Sequence, residues 1–212
     1  MRLAIIGYGA LGRYIEDMIT EAYPVDRSEI VYFDDQRHAA GAERSRPFAA
    51  HTSDEFRDLE FYVCLGYKHL RIKQQIIDRL LELGRKVPSF VHPSAYVHPS
   101  VRIGSGSMVY PGCSIDRNTA IGNGAWIANA DVIAHDCTIG DCCWFGASVT
   151  LSGMVAVAAR TFIGSGSVVS NNIEIGSNVI IGLGTVVTKP VGDNLSVIGN
   201  PMRILERPLV LR

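Results

Sequence analysis

From Val91 onward an aliphatic or aromatic residue recurs at every sixth position, and no other feature of this chain restricts its fold so tightly. The series runs Val91, Val97, Ile103, Val109, Ile115, Ile121, Ile127, Ile133, Ile139, Phe145, Leu151, Val157, Ile163, Val169, Ile175, Ile181 and Val187, seventeen hexads without an insertion. The following position is often glycine (Gly104, Gly122, Gly140, Gly146, Gly164, Gly176, Gly182), and the fifth position is usually small or β-branched. A hexapeptide period sustained this long predicts a parallel β-helix. Each coil rests on its neighbours, because one repeat alone has no partner against which to bury its apolar residue.

Residues 1–88 follow a different grammar. Strand-like "RLAIIG", "EIVYFDD" and "EFYVCLG" alternate with helix-like "ALGRYIEDMITEAY" and "KHLRIKQQIIDRLLELG", whose apolar residues keep helical spacing. This alternation predicts a small parallel sheet flanked by helices, with ligands at the carboxyl ends of the strands. The fold expected is therefore an α/β, Rossmann-like βαβ domain over 1–88, followed by an all-β parallel β-helix over 89–212. "GYGALG" supplies a GxGxxG (Gly7, Gly9, Gly12) between a strand and a helix, and Asp34 follows Gly12 after 22 residues, near the spacing of a dinucleotide fingerprint. About 88 residues are too few for the two mononucleotide-binding halves of a full dinucleotide fold, so one nucleotide fits.

With 20 basic and 21 acidic residues and a formal net charge of -1, no bulk electrostatic surface for nucleic acid or anionic membrane is expected. Two glycines interrupt the apolar start "MRLAIIGYGALG" and a charged segment follows, a pattern unlike a signal peptide or a membrane span, so a cytoplasmic protein is expected. Five cysteines, two of them adjacent, fit neither a disulfide framework nor CxxC metal spacing, and are read as reduced thiols. Cys113, Cys137 and Cys143 all fall at the small fifth position, where packing explains them.

The repeat and its "[LIV]-G-x-x-x-x" form resemble the hexapeptide acyltransferases. That resemblance implies a left-handed helix with three hexads per triangular coil, a hand opposite to the one the usual crossover rule favours. Eighteen residues then make one turn, giving between five and six coils and a prism on the order of 28 Å tall. On this geometry His135, third after the inward Ile133, lies near a corner and points outward, with Arg117 one coil below and Gly153 one coil above. A glycine there leaves room against the imidazole. Trp126 and Trp144 are one coil apart and should stack on an outer face, exposed unless another chain or a ligand covers them.

The stretch "VIAHDCTIGD" resembles the active-site hexads of the bacterial sugar acyltransferases of the PglD/PerB/NeuD family. The resemblance implies that His135 is a general base and that Asp136 raises its basicity. It further implies a homotrimer with its sites between solenoids, acetyl-CoA as cosubstrate and no metal. The chemistry needs such a pair: a sugar amine loses a proton as it attacks a thioester, and an imidazole of ordinary pKa about 6.5 is suited to accept it. Direct attack in a ternary complex is expected, since no Ser or Cys is evidently paired with His135 as a nucleophile.

In this family the N-terminal domain holds the nucleotide end of a nucleotide-linked sugar. The matching positions are Asp34 and Asp35 in "FDD", Gly66 in "VCLGYKHLR", and the loop Gly7, Gly9, Ala10 and Leu11, whose N–H groups meet phosphate at a helix start. Where family members often show Gly-His-Gly, this chain has Ala10-Leu11-Gly12. For acetyl-CoA the matching positions are Trp144, where some relatives carry a second histidine, Gly153, Ser165 and Leu183 through backbone groups, Lys189, and Arg203 in "GNPMR". For Lys189 and Arg203 an ordinary solvated charge is the competing reading. The reaction expected is N-acetylation of a nucleotide-linked 4-amino-4,6-dideoxy sugar. The alternatives are O-acetylation of the sialic acid type, a zinc site like that of γ-carbonic anhydrase, and a non-catalytic solenoid scaffold. His92 and His98, six apart, fall on successive faces and form no evident zinc triad with His135.

Overall fold

A computed structural model describes residues 2–207 and 209. The chain divides into two compact units, Met1–Phe90 and Val91–Arg212.

In the first unit, β1 (Leu3–Ile6), α1 (Ala10–Ala22), β2 (Val31–Phe33), α2 (Asp35–Ala39), β3 (Ser45–Arg46), β4 (Glu60–Val63) and α3 (Leu70–Glu82) succeed one another along the chain. The four strands are parallel in the order β3-β2-β1-β4. β1 is apolar along its whole length and fully buried, the pattern of a parallel strand covered on both faces. α1 buries Gly12, Ile15, Met18 and Ile19, and α3 buries Leu70, Ile76, Ile77 and Leu80, both at helical spacing. The chain runs outward from β1 to β2 and β3, then returns to place β4 on the other side of β1. The strand order therefore switches between β1 and β4, where open α/β sheets hold ligands.

The second unit is a parallel β-helix of about six turns. Every hexad forms one two-residue strand, from Phe90–Val91 to Val186–Val187, with its aliphatic residue inward. The strands stack into three sheets at an 18-residue register, as in Ile121↔Ile139, Ile127↔Phe145 and Ile133↔Leu151. From Val109 to Val187 the inward residues are at most 4% exposed, while Val91, Val97 and Ile103 in the first turn are half-buried. The last turn is two residues shorter, pairing Ile180 with Ser196.

The turns obey a rule that the periodicity alone did not reveal. The fourth residue of a hexad adopts the left-handed conformation: Gly106, Gly112, Gly124, Gly166 and Gly184, but also Asn118, Ala130, Asp136, Cys142, Ser148, Met154, Arg160, Asn172 and Asn178, all with φ between 51° and 71°. Glycine, asparagine and aspartate are the residues that tolerate this conformation best.

The fifth residue faces inward and bridges coils. Thr119 Oγ1 donates to the Ala134 carbonyl at 3.0 Å and accepts the Cys137 N–H at 3.3 Å; Ser107, Thr161 and Ser167 do the same with their own neighbours. The thiols of Cys113, Cys137 and Cys143 occupy the same hexad position, one at each of the three corners, and donate to carbonyls fifteen residues ahead, at 2.9, 3.3 and 3.1 Å. Burial pushes the Cys113 thiol up to about 11 and Cys143 to about 12. All five cysteines are buried, and none is in a disulfide among the described residues.

The tryptophan expectation needs correction. Trp126 and Trp144 do stack, with centroids 4.4 Å apart and planes at 5°, and Tyr110 lies 4.7 Å from Trp126. Yet they are only 2% and 9% exposed in a single chain, so the chain's own atoms cover them and they give no argument for a partner.

Candidate active site

His135 and Asp136 occupy the turn between the Val132–Ile133 and Thr138–Ile139 strands. The repeat sends the third residue of the turn outward, and the His135 side chain is 38% exposed. Asp136 holds the left-handed fourth position at φ 59°, which brings its carboxylate beside the preceding side chain. His135 Nδ1 lies 2.7 Å from Asp136 Oδ2. The hydrogen bond to His135, and after it one from the Asn118 amide, hold the Asp136 carboxyl below the ordinary carboxylate range. A carboxylate only accepts, so Nδ1 carries the proton and Nε2 presents its lone pair.

The ring lies against Gly153, one coil above. A Cβ on Gly153 would sit 2.7 Å from His135 Cε1 and 2.8 Å from Nε2, so only glycine admits this imidazole position. The Met154 N–H donates to the His135 carbonyl at 3.0 Å, and the Asp136 N–H to the Arg117 carbonyl at 2.9 Å, pinning the turn from above and below. Cys137 is turned inward, bonded to the Ser152 carbonyl, and burial raises its thiol, which makes it a poor nucleophile.

Asn118 was missed by the sequence reading. Its Nδ2 donates to Asp136 Oδ1 at 3.0 Å, and the signal was available: it is one 18-residue turn before Asp136, at another left-handed position. Asp131 was also missed. It stands at the inward fifth position that elsewhere carries bridging hydroxyls, accepting the Val149 N–H on Oδ1 at 2.8 Å, while Oδ2 is buried without a hydrogen-bond partner among the described residues. Burial pushes its carboxyl up to about 8.

Among the positions matched to acetyl-CoA, Gly153 is against His135, and Lys189 is exposed in the same corner column three turns further along, roughly 14 Å away. Ser165 and the 73%-exposed Leu183 share the next corner, on the far edge of the sheet that carries Val132. A single chain thus leaves them apart from His135. Trp144 is buried in the tryptophan stack, and Arg203 is exposed on the Arg203–Ile204 strand. A cavity of ≈620 Å³ opens on the sheet that follows the His135 turn, lined in part by Thr138, Ala156, Ala158, Glu174, Pro190 and Asp193.

In the first unit the loop Gly7–Gly12 and Gly66 lie at the ends of β1 and β4. Gly7 has φ 83°, and a Cβ on Gly12 would lie 2.3 Å from the Gly7 carbonyl oxygen, so both glycines are dictated by the turn. Beyond Gly9 and Gly66 there is open space. Gly9 caps α1 without a side-chain hydrogen bond and the first turn holds no acid, which leaves Ala10 and Leu11 at a helix start suited to an anion. Asp34 is engaged by the fold: Oδ2 accepts the Tyr8 N–H and Oδ1 the Arg37 N–H, each at 2.9 Å, and Asp35 Oδ1 accepts the Phe48 N–H. The Arg37 guanidinium lies 4.3 Å from the Tyr8 ring centre, placing a cation beside the glycine loop.

Among the described residues no group of three or more His, Cys, Asp or Glu is placed to hold a metal, and no helix is long and apolar enough to cross a membrane.

A family model for the bacterial transferase hexapeptide (six repeats) matches residues 94–129. No curated protein sequence matches the chain significantly. Among solved structures, the acetyltransferase domain of PglB from Neisseria gonorrhoeae in complex with acetyl coenzyme A is similar at a TM-score of 0.86 and 28% identity, covering 96% of this chain and 98% of that one. PerB from Caulobacter crescentus, in complex with CoA and GDP-perosamine, gives 0.86 and 28% over 97% of each chain. A histidine-to-asparagine variant of perosamine N-acetyltransferase from the same organism, with the same two ligands, gives 0.85 and 29% over 98% of each. The likeness spans both units, a Rossmann-like domain and a left-handed β-helix.

Proposed function

We propose that the chain is a bacterial hexapeptide-repeat sugar acyltransferase and that it moves acetyl from acetyl-CoA to the amino group of a nucleotide-linked 4-amino-4,6-dideoxy sugar. The observation that carries this reading is the outward His135, its Nδ1 proton held by Asp136 and its free Nε2 beside Gly153. Nε2 takes a proton from the sugar amine as the nitrogen attacks the thioester carbon. The carbon–nitrogen bond forms, the carbon–sulfur bond breaks, and the imidazolium returns the proton to the departing thiolate. Asp136 stabilises the imidazolium while it lasts. The glycine loop, Asp34, Asp35 and Gly66 hold the nucleotide, with phosphate at the start of α1.

The site is completed between chains of a homotrimer. His135 lies at one corner and Ser165 and Leu183 at the next, so acetyl-CoA reaches both sets only when a neighbouring solenoid brings its own corner alongside. Lys189 and Arg203 meet the phosphates of the CoA nucleotide, and Trp144 acts by supporting the sheet. We place the protein in the cytoplasm, where acetyl-CoA is available and its five buried thiols stay reduced.

Incubation with acetyl-CoA and UDP-, GDP- or dTDP-linked 4-amino sugars, followed by free-thiol release, tests the reading. Release with at least one nucleotide sugar is expected. Release only with free sialic acid would move the reaction to a hydroxyl, and none with any acceptor would overturn it.

A further inference from the structure

Asn118 stands one coil beneath the candidate catalytic turn and belongs to a line of hydrogen bonds along that corner. Its own N–H donates to Ser100 Oγ at 2.8 Å, and Ser100 Oγ lies 2.9 Å from His98 Nδ1, so the backbone is anchored from below. Its side-chain Nδ2 reaches up to Asp136 Oδ1 at 3.0 Å, leaving Oδ2 to face His135 Nδ1 at 2.7 Å. We propose that Asn118 is a positioning residue for the acetyl transfer: by holding one Asp136 oxygen it fixes the other against Nδ1, and so sets both the tautomer and the aim of the His135 ring. This rests on the functional reading above only for its kinetic consequence; the tautomer claim stands on the geometry.

The reason such a residue is needed lies in exposure. The Asp136 side chain is 43% exposed, so a carboxylate there rotates freely in water unless something other than the imidazole restrains it. An amide donor in the coil below does this without adding charge, and the left-handed backbone at Asn118 (φ 57°) aims the side chain along the corner. A comparable rung occurs elsewhere in the solenoid: Asn178 Nδ2 donates to Asn194 Oδ1 at 3.1 Å, at a corner with no histidine. That rung shows what the arrangement does when it is structural alone, and it provides the control.

Asn118→Gly removes the amide while keeping a residue at home in the left-handed turn. The expected result is a loss in kcat of about 10- to 100-fold, the usual scale for a lost hydrogen bond to a charged group or an outer orienting partner, with KM for both substrates little changed. The imidazole 15N resonances of His135, identified by their absence in His135→Asn, should report Nδ1–H in the wild type and a tautomer mixture in Asn118→Gly. Asn118→Asp keeps the shape but sets carboxylate against carboxylate, and should lose more turnover than glycine at neutral pH. Asn178→Gly should affect the melting temperature only. Unchanged kcat and an unchanged tautomer in both Asn118 variants would overturn the proposal, as would an equal kcat loss in Asn178→Gly. If no acceptor is found for the wild type, the kinetic reading fails while the 15N comparison still decides the positioning claim.

Discussion

Two turns of one coil, five residues apart, each carry an aspartate, and the repeat gives them opposite fates. Asp136 sits at the fourth position of its hexad, outward, with hydrogen-bond donors on both oxygens, and its carboxyl is held below the ordinary range. Asp131 sits at the fifth position, inward and fully buried, with the Val149 N–H on one oxygen, and burial pushes its carboxyl up to about 8. Seven other fifth-position residues (Ser107, Cys113, Thr119, Cys137, Cys143, Thr161 and Ser167) use a hydroxyl or thiol to donate to a carbonyl fifteen residues ahead. A protonated Asp131 has the same complement, one acceptor and one O–H donor. The lesson is that in a solenoid the position within the hexad, more than residue type, decides whether a carboxyl is a charge or a neutral bridge.

The largest expected break in this contrast is at the histidine that only the outward turn possesses. His135→Asn should fold with an unchanged circular dichroism spectrum and oligomeric state and lose about 10²- to 10⁴-fold in kcat, the range of a general base. Gly153→Ala comes next. The new methyl would occupy the imidazole's place, so kcat should fall about 10- to 100-fold, read by steady-state kinetics, with acetyl-CoA still bound. At the inward turn the effect is on stability. Between the unfolded aspartate pKa of about 4 and the folded value of about 8 the folded state holds a proton that the unfolded state has released, so stability falls as pH rises through this window, at most about 1.4 kcal/mol per pH unit. Asp131→Asn should escape that loss: its melting temperature should match the wild type near pH 4 and exceed it increasingly toward pH 8, with kcat unaffected. Smallest of all, Cys137→Ser should change turnover less than about twofold, because a hydroxyl makes the same inward bridge as the thiol. A large kinetic loss there would reopen the question of a cysteine nucleophile.

The sequence reading and the structure part company at particular residues. "RLAIIG", "EIVYFDD" and "EFYVCLG" became β1, β2 and β4, and the two helix-like stretches became α1 and α3, because continuous apolar runs and helical spacing are local signals. β3, two residues long, left no pattern to read. At the candidate site, the outward turn of His135 and the place of Gly153 above it followed from counting by eighteen. Asn118 obeyed the same count but was passed over, since an asparagine at a turn reads first as turn chemistry. Asp34 carries the spacing of a ligand residue, and spacing does not encode that its oxygens also accept the Tyr8 and Arg37 N–H groups, which come from a loop and a helix start. The tryptophan pair was placed correctly on one column and wrongly in solvent.

What the sequence determined by itself was what depends on period: the solenoid, the βαβ unit before it, and the two residues at positions 135 and 136 that the hexad does not need; the eighteen-residue turn came with the family resemblance. Periodicity carries this because each coil repeats the same local packing problem. What only the tertiary structure decided was how atoms from successive coils meet: which carboxyl is charged and which is bridged, which tautomer the imidazole holds, and which aromatic rings the chain covers. Those outcomes rest on contacts of about 3 Å between residues eighteen apart, and on burial, which no single stretch of sequence contains.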